Sequence, residues 1–409
     1  MPIALPAAGA AAVVVLAVLA LLPLGRLSEL PVAIAALGAI VLVVRGRIDL
    51  RGDPAMRDVV ALFACYWLPI ALSGFAAVDP AKTWSTAAAS LRYLPFAVFA
   101  VHALRKDGTW SAVVLAISAL VSLWLIDAWV QFVTGHSLGG APEPERLSGI
   151  FGADNLKLGP VLAVLSPFVL VASRALLGRV GLLLAFLVVL VPVLLSGSRA
   201  AWLSYAIVVT LMAWCETGSL RRFAPLLVGV ALAFVIAILG VRVDSGGFQA
   251  RIERSLRAAE GTSQALDEAS AGRISIWRTA IDMALAHPLT GVGARGFRHD
   301  YGEHARADDR FVRDPPPGGV AHAHQIVLEV ASETGLVGLA GWLTGLAVMR
   351  RAWRRADPAA RARAFAPALA LVAMCFPLNT HLAFYSAWWG LLFWWLLALY
   401  CAALATPRT

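Results

Sequence analysis

The chain is short of charge and of cysteine. Of its 409 residues, 14% are charged, against roughly 25% in a soluble globular domain, and that shortage excludes an ordinary water-soluble fold. The four cysteines (Cys65, Cys215, Cys375 and Cys401) stand in or beside apolar stretches with no Cys-x-x-Cys pair. Neither a disulfide framework nor a thiolate metal knot is expected from them. No His-Glu-x-x-His or His-x-x-x-His spacing occurs, so the common zinc-hydrolase signatures are missing. The alternation of a membrane barrel is missing too, because a stretch such as Val180 to Leu195 is apolar on every face. No internal repeat of the kind that builds many transporters is found.

What is present is apolar sequence in blocks. Hydrophobic residues make up 60% of the chain, gathered into runs near the ~20 residues that cross a ~30 Å hydrocarbon core. Twelve candidate spans are read at 3–24, 29–44, 58–77, 85–104, 110–132, 156–173, 180–196, 200–215, 223–241, 335–349, 364–379 and 385–405. The first lacks a basic leader and is read as a retained helix rather than a cleaved signal. The expectation is an all-α polytopic membrane protein of about twelve transmembrane helices. It divides into helices 1–9 (1–241), a large loop (242–324) containing helices, and helices 10–12 (325–409).

The basic residues set the orientation. With the N-terminus inside, the inner segments hold seventeen Lys and Arg and the short outer ones six (Arg26, Lys82, Arg92, Arg146, Lys157 and Arg199), the large loop holding the other eleven of 34. Long loops carry little weight in this rule, and seventeen against six puts both termini inside and the loop outside. The net charge of +9 is then topological, and no nucleic-acid partner is expected.

The outer segments are where chemistry is expected. Arg146 lies in a Gly- and Pro-rich stretch, Gly135 to Lys157, that cannot form a regular helix. Arg199 follows Ser196-Gly-Ser in a join too short to leave the membrane surface. For each arginine a snorkelling anchor is the bland alternative. In the large loop an amphipathic segment is expected at about Gln249 to Ala259. A helix follows from Arg273 to His287, stopped by Pro288, with Ile274, Trp277, Ile281 and Leu285 at helical spacing toward the membrane or neighbouring spans. Arg273 falls in that helix's first turn, where the dipole disfavours a cation. A bound anion or a salt bridge to Asp267 or Glu268 would each account for it. Gly291-Val-Gly293-Ala-Arg-Gly296 spells a dinucleotide fingerprint without its strand, and is read as a turn. The stretch from Asp300 to Gly319 reads as a flap. A helix is expected to begin near His324, and Gly335, ten intervening residues on, lets the chain bend. His322 and His324 would point apart on a helix, so no metal site is expected there. Inside the spans, Arg92, Asp127 and Gln131 are the clear polar residues, Arg92 and Asp127 being candidate partners.

These pieces together resemble the O-antigen ligase family, which shares its core with O-antigen polymerases and bacterial protein O-oligosaccharyltransferases. The matching motifs are Arg146-Leu-Ser-Gly-x-Phe, Ser196-Gly-Ser-Arg199, Arg273-x-x-x-Trp277, His287-Pro-Leu-x-Gly-Val-Gly-x-x-x-Phe297, and His324 with the following Gly335 and Gly338. The residue after the histidine, often Asn in relatives, is Gln325 here. The resemblance implies a glycosyltransferase of the GT-C type in the inner membrane with its active site on the periplasmic side and no metal or cofactor. It would move a preassembled O-antigen from undecaprenyl pyrophosphate to the lipid A–core, amid membrane lipids. Arg146, Arg199 and Arg273 would hold the donor pyrophosphate, and His324 would take the acceptor's proton, bind the pyrophosphate or position the acceptor. Polymerase and protein-glycosylating activities are the near alternatives. A transporter or flippase for an anionic substrate is the alternative of a different class.

Overall fold

The computed structural model describes residues 9–105, 108–140, 146–153, 155–240, 270–380 and 382–406. The segment Gln249 to Ala259, and Asp267 and Glu268, lie outside them. The described residues form helices joined by turns: α1 (Ala10–Ala20), α2 (Glu29–Val44), α3 (Pro54–Ser73), α4 (Pro80–Ser90), α5 (Tyr93–Leu104), α6 (Thr109–Thr134), α7 (Leu158–Leu195), α8 (Arg199–Thr217) and α9 (Leu220–Gly240). After the large loop's α10 (Arg273–Ala286), α11 (Phe297–His304) and α12 (Arg310–Arg313) come α13 (Ile326–Arg355), α14 (Pro358–Cys375) and α15 (Ala387–Leu404).

Local chemistry sets the helix starts. Asp53 and Asp357 each accept a backbone N–H of the first turn, with proline in the next position, opening α3 and α14. Ser198 and Ser386 do the same without proline for α8 and α15. Burial by neighbours does the rest: α3 lies along α13, α6 and α8 along α7, α14 along α15, and α2 and α15 along α5. Trp124, Trp394 and Trp395 are fully buried in the shared core. The Trp395 indole donates to the Val15 carbonyl at 2.9 Å, fastening the last helix to the first.

Eight of the described helices are long and apolar enough to cross a bilayer, fewer than the twelve runs of the sequence. Part of the difference is a glycine break in α7. The 38 residues of α7 would span about 57 Å as one rod, but Gly178 takes φ 66° and ψ −151° between its halves. A Cβ on Gly159, near the start of α7, would fall 1.9 Å from Ser196 Oγ, just past its end. The element therefore doubles back at Gly178, giving the two runs expected at 156–173 and 180–196. In α13, Gly335 adopts φ 62° and ψ −157°, the bend expected there. Elsewhere α1, within the run expected at 3–24, has 11 described residues.

The basic residues of one end are not idle topological markers. Asp58 of α3 pairs with Arg351 at 3.3 Å and also with Arg355, and buried Arg105 pairs with Asp53. These ion pairs lock α3, α5 and α13 together.

Candidate active site

The site is assembled from three turns that meet where α7 passes into α8. Arg199 is the first residue of α8, directly after its capping Ser198. Arg146 sits on the irregular stretch after α6, and its neighbour Leu147 donates its N–H to the Leu195 carbonyl at 3.1 Å. That bond pins the Arg146 loop to the α7–α8 join. The Arg146 Nε is buried with no hydrogen-bond partner among the described residues.

Two polar residues of α6 hold this loop in shape. Gln131 Oε1 accepts the backbone N–H groups of Ser148 (3.0 Å) and Gly149 (2.8 Å), and its Nε2 donates to Ser148 Oγ at 3.1 Å. Asp127 Oδ1 accepts the Leu138 N–H at 2.7 Å. Phe151 packs on Trp124 with ring centroids 5.6 Å apart. The partnership of Arg92 with Asp127 expected from the sequence is thus corrected. Arg92 pairs with Glu29 at 2.8 Å and covers the Tyr93 ring, while Asp127 and Gln131 form a pedestal under Arg146.

Arg273 opens α10 after left-handed Gly272. Burial, and then the like charge of Arg199, pull its guanidinium down to about 10, which leaves it charged at neutral pH. Its guanidinium donates to the Ser270 carbonyl at 3.4 Å, and no carboxylate among the described residues pairs with it. Two like charges sharing a sheltered place favour an anion between them. Four residues on, the Trp277 indole N–H is buried without a partner among the described residues. The face of α10 that packs on protein is Ile276, Thr279, Ala280 and Met283, whereas Ile281 and Leu285 are exposed. The second half of the stripe expected from spacing is therefore left facing outward, while Ile274 and Trp277 are half-buried.

His324 stands within reach of Arg273's charge. It lies two residues before α13, which begins at Ile326, near the histidine as expected. Its backbone is left-handed, φ 53°, a costly state for a side-chain-bearing residue that marks functional turns. Because the segment is not helical, His322 and His324 do not point apart as expected; their rings approach to 4.0 Å. His324 Nδ1 lies 2.8 Å from the Thr380 carbonyl. A carbonyl can only accept, so Nδ1 carries the hydrogen and the neutral ring presents Nε2 as a lone pair. Burial depresses the imidazole below its ordinary 6.5; the Thr380 bond opposes this, and the Arg273 charge adds to it. Gln325 contributes its amide to structure: Oε1 accepts the Leu328 N–H at 2.6 Å, capping α13.

The glycine-rich turn after α10 supports this corner. The N–H groups of Leu336 and Val337 donate to the Pro288 and Leu289 carbonyls, at 2.8 and 3.1 Å, across the Gly335 break. A Cβ on Gly335 would lie 2.4 Å from the Leu289 carbonyl carbon, so this position needs glycine for both conformation and space. A Cβ on Gly338 would fall 1.9 Å from Thr334 Oγ1, whose hydroxyl meets the Tyr385 OH at 2.8 Å.

The sequence reading missed Glu329 and Glu333, both fully buried. Glu333 Oε2 accepts the Arg295 N–H at 2.6 Å, and Glu329 Oε1 the Tyr385 N–H at 3.3 Å. They tie the 291–297 turn and the 380–386 segment to the helix that follows His324. Two carboxylates at i,i+4 ahead of an apolar run were the available signal.

The fold defines a multi-pass helical membrane protein in which a sheltered cluster of cations lies beside a histidine. The family profile described as O-Antigen ligase matches residues 184–343, a segment that holds Arg199, Arg273 and His324 but not Arg146. Over that segment the likeness to the O-antigen ligase family read from the motifs is shown. A search of curated proteins finds no match.

Proposed function

We propose that the chain is an O-antigen ligase, transferring a preassembled polysaccharide from undecaprenyl pyrophosphate to the lipid A–core. The observation that carries this reading is Arg273, sheltered with Arg199 on one side and His324 of fixed tautomer on the other. An acceptor hydroxyl oxygen attacks the anomeric carbon while the bond from that carbon to the pyrophosphate oxygen breaks. The electron pair leaves with the lipid pyrophosphate. Arg199 and Arg273, with Arg146 from the adjoining loop, offset the charge that grows on it. Nε2 of His324 takes the hydroxyl proton as the new bond forms. The donor is already activated, so the step needs no metal. In this account the enzyme is of the GT-C type and crosses the inner membrane twelve times with both termini inside. The site then opens to the periplasm, and residues 270–324 of the large loop form its cap.

A lipid-linked donor also suits the open apolar groove of about 490 Å³ lined by α3, α13, α14 and α15. Its lining includes Leu62, Trp342, Leu371 and Phe393 and reaches Tyr385 at the end nearest the site. An isoprenoid chain matches such a wall in polarity.

The test is a deletion strain examined on a lipopolysaccharide gel. Loss of a ligase leaves bare lipid A–core with polymer accumulated on the carrier. Core bearing a single repeat would assign the chain to the polymerases instead. An unchanged ladder would remove it from this pathway.

A further inference from the structure

The large loop has a core of its own beside the main one. Ile276, Ala280, Met283, Val292, Phe297, Tyr301, Val320 and Ala323 make it up, so 300–319 is not a loose flap: Tyr301 OH donates to Asp309 Oδ2 at 2.8 Å, and Arg310 donates to the Ala271 carbonyl at 2.6 Å. Eight buried residues supply little hydrophobic stabilisation, and units this small commonly rely on a cross-link or a metal.

At the rim of this core three ligand-type side chains converge. His287 ends α10, and Asp300 and His304 stand one turn apart on α11, with their donor atoms all within 4.8 Å of one another. His304 Nε2 lies 2.9 Å and His287 Nε2 3.9 Å from Asp300 Oδ2. Zinc bonds of about 2.0–2.1 Å in a tetrahedron put neighbouring donors about 3.3 Å apart, and the two separations bracket that value. Asp300 is only 8% exposed, yet its Oδ2 makes no well-aligned hydrogen bond to any described residue. A carboxylate oxygen buried this far is costly without a partner. His304 Nε2 and His287 Nε2 both lie close enough to this oxygen to share a single cation with it. Two imidazoles and one carboxylate form a borderline donor set that suits zinc, leaving one position for water.

We propose that His287, Asp300 and His304 bind a zinc ion that clips the end of α10 to α11 and so steadies the cap carrying Arg273. This revises the expectation of no metal. The common zinc signatures place two histidines on one helix, whereas this set is Asp-x-x-x-His plus a histidine from the end of another. The ion has a structural role here, and the transfer step proposed above does not run through it.

The experiment is zinc titration of the full-length protein, purified in detergent, stripped with chelator and returned to chelator-free buffer. Calorimetry should give one zinc per chain, and the thermal midpoint should rise with zinc. Asp300→Asn, His287→Gln and His304→Gln should each weaken binding at least about 100-fold, beyond the roughly 10–100-fold seen when a group that merely orients a ligand is removed, and should abolish the rise. His299→Gln, on the same helix but facing Asp79 at 3.5 Å, should bind as the parent does. If Asp300→Asn fails to fold, the two histidine variants carry the test, since those side chains are more exposed. Wild-type protein that takes up no zinc, or a His304→Gln protein that binds it equally well, overturns the proposal. Zinc binding without polymer transfer would leave this inference intact and defeat the functional reading, and the reverse outcome would do the opposite.

Discussion

Replacing His324 with alanine is expected to stop transfer and leave the polymer on its lipid carrier, with bare lipid A–core on a gel. The expected loss is at least about 100-fold, the range for removing a positioned general base. The reason lies in how the ring is held. The Thr380 carbonyl keeps the hydrogen on Nδ1, so the other nitrogen is free to accept a proton in every neutral molecule. His324→Asn separates the base from the backbone. Asparagine tolerates the left-handed conformation better than most residues, so this variant should keep the turn yet remain as inactive as His324→Ala. An active His324→Asn enzyme would reduce the histidine to a positioning residue.

Arg273→Ala is expected to cost about 100- to 1000-fold, as for loss of a donor aimed at developing negative charge. Arg278→Ala, exposed on the same helix, should cost less than about tenfold by the same assay, because a solvated charge is largely screened. Arg273→Lys restores the charge but not the planar fork and should recover only part of the loss. The comparison uses two arginines five residues apart on α10, so a general effect of lowering the cap's charge would appear in both. Equal losses would argue against a dedicated pyrophosphate site.

Much of this was legible in the sequence, for physical reasons. Helical membrane spans announce themselves by length and apolarity, and the hairpin at Gly178 followed from two separate apolar runs around Arg174 and Arg179. The grouping of Arg199, Arg273 and His324 was legible through their motifs. What was not legible depends on contacts distant in sequence. Asp127 looked like an intramembrane partner for Arg92, but it and Gln131 accept backbone N–H groups of a loop that has no regular pattern. The start of α13 near His324 was legible, but the left-handed turn at His324 was not, because its support, Thr380, comes from 56 residues away. Glu329 and Glu333 passed unnoticed because buried carboxylates serving backbone donors carry no motif. The metal-ligand cluster of the cap was hidden for a related reason, since one ligand comes from a different helix than the other two.

The most direct measurement is the pH dependence of transfer by purified protein, with carrier-linked polymer and lipid A–core as substrates. His324 is depressed below its ordinary 6.5, so the imidazole is neutral and able to accept a proton at neutral pH. It is lost as a base only when pH falls through that lowered value. The wild-type rate should therefore hold at neutral pH and decline on an acid limb below 6.5, releasing lipid pyrophosphate as each capped product forms, while His324→Ala shows no transfer at any pH. A His324→Ala protein that transfers polymer at the wild-type rate with the same acid limb would contradict the account.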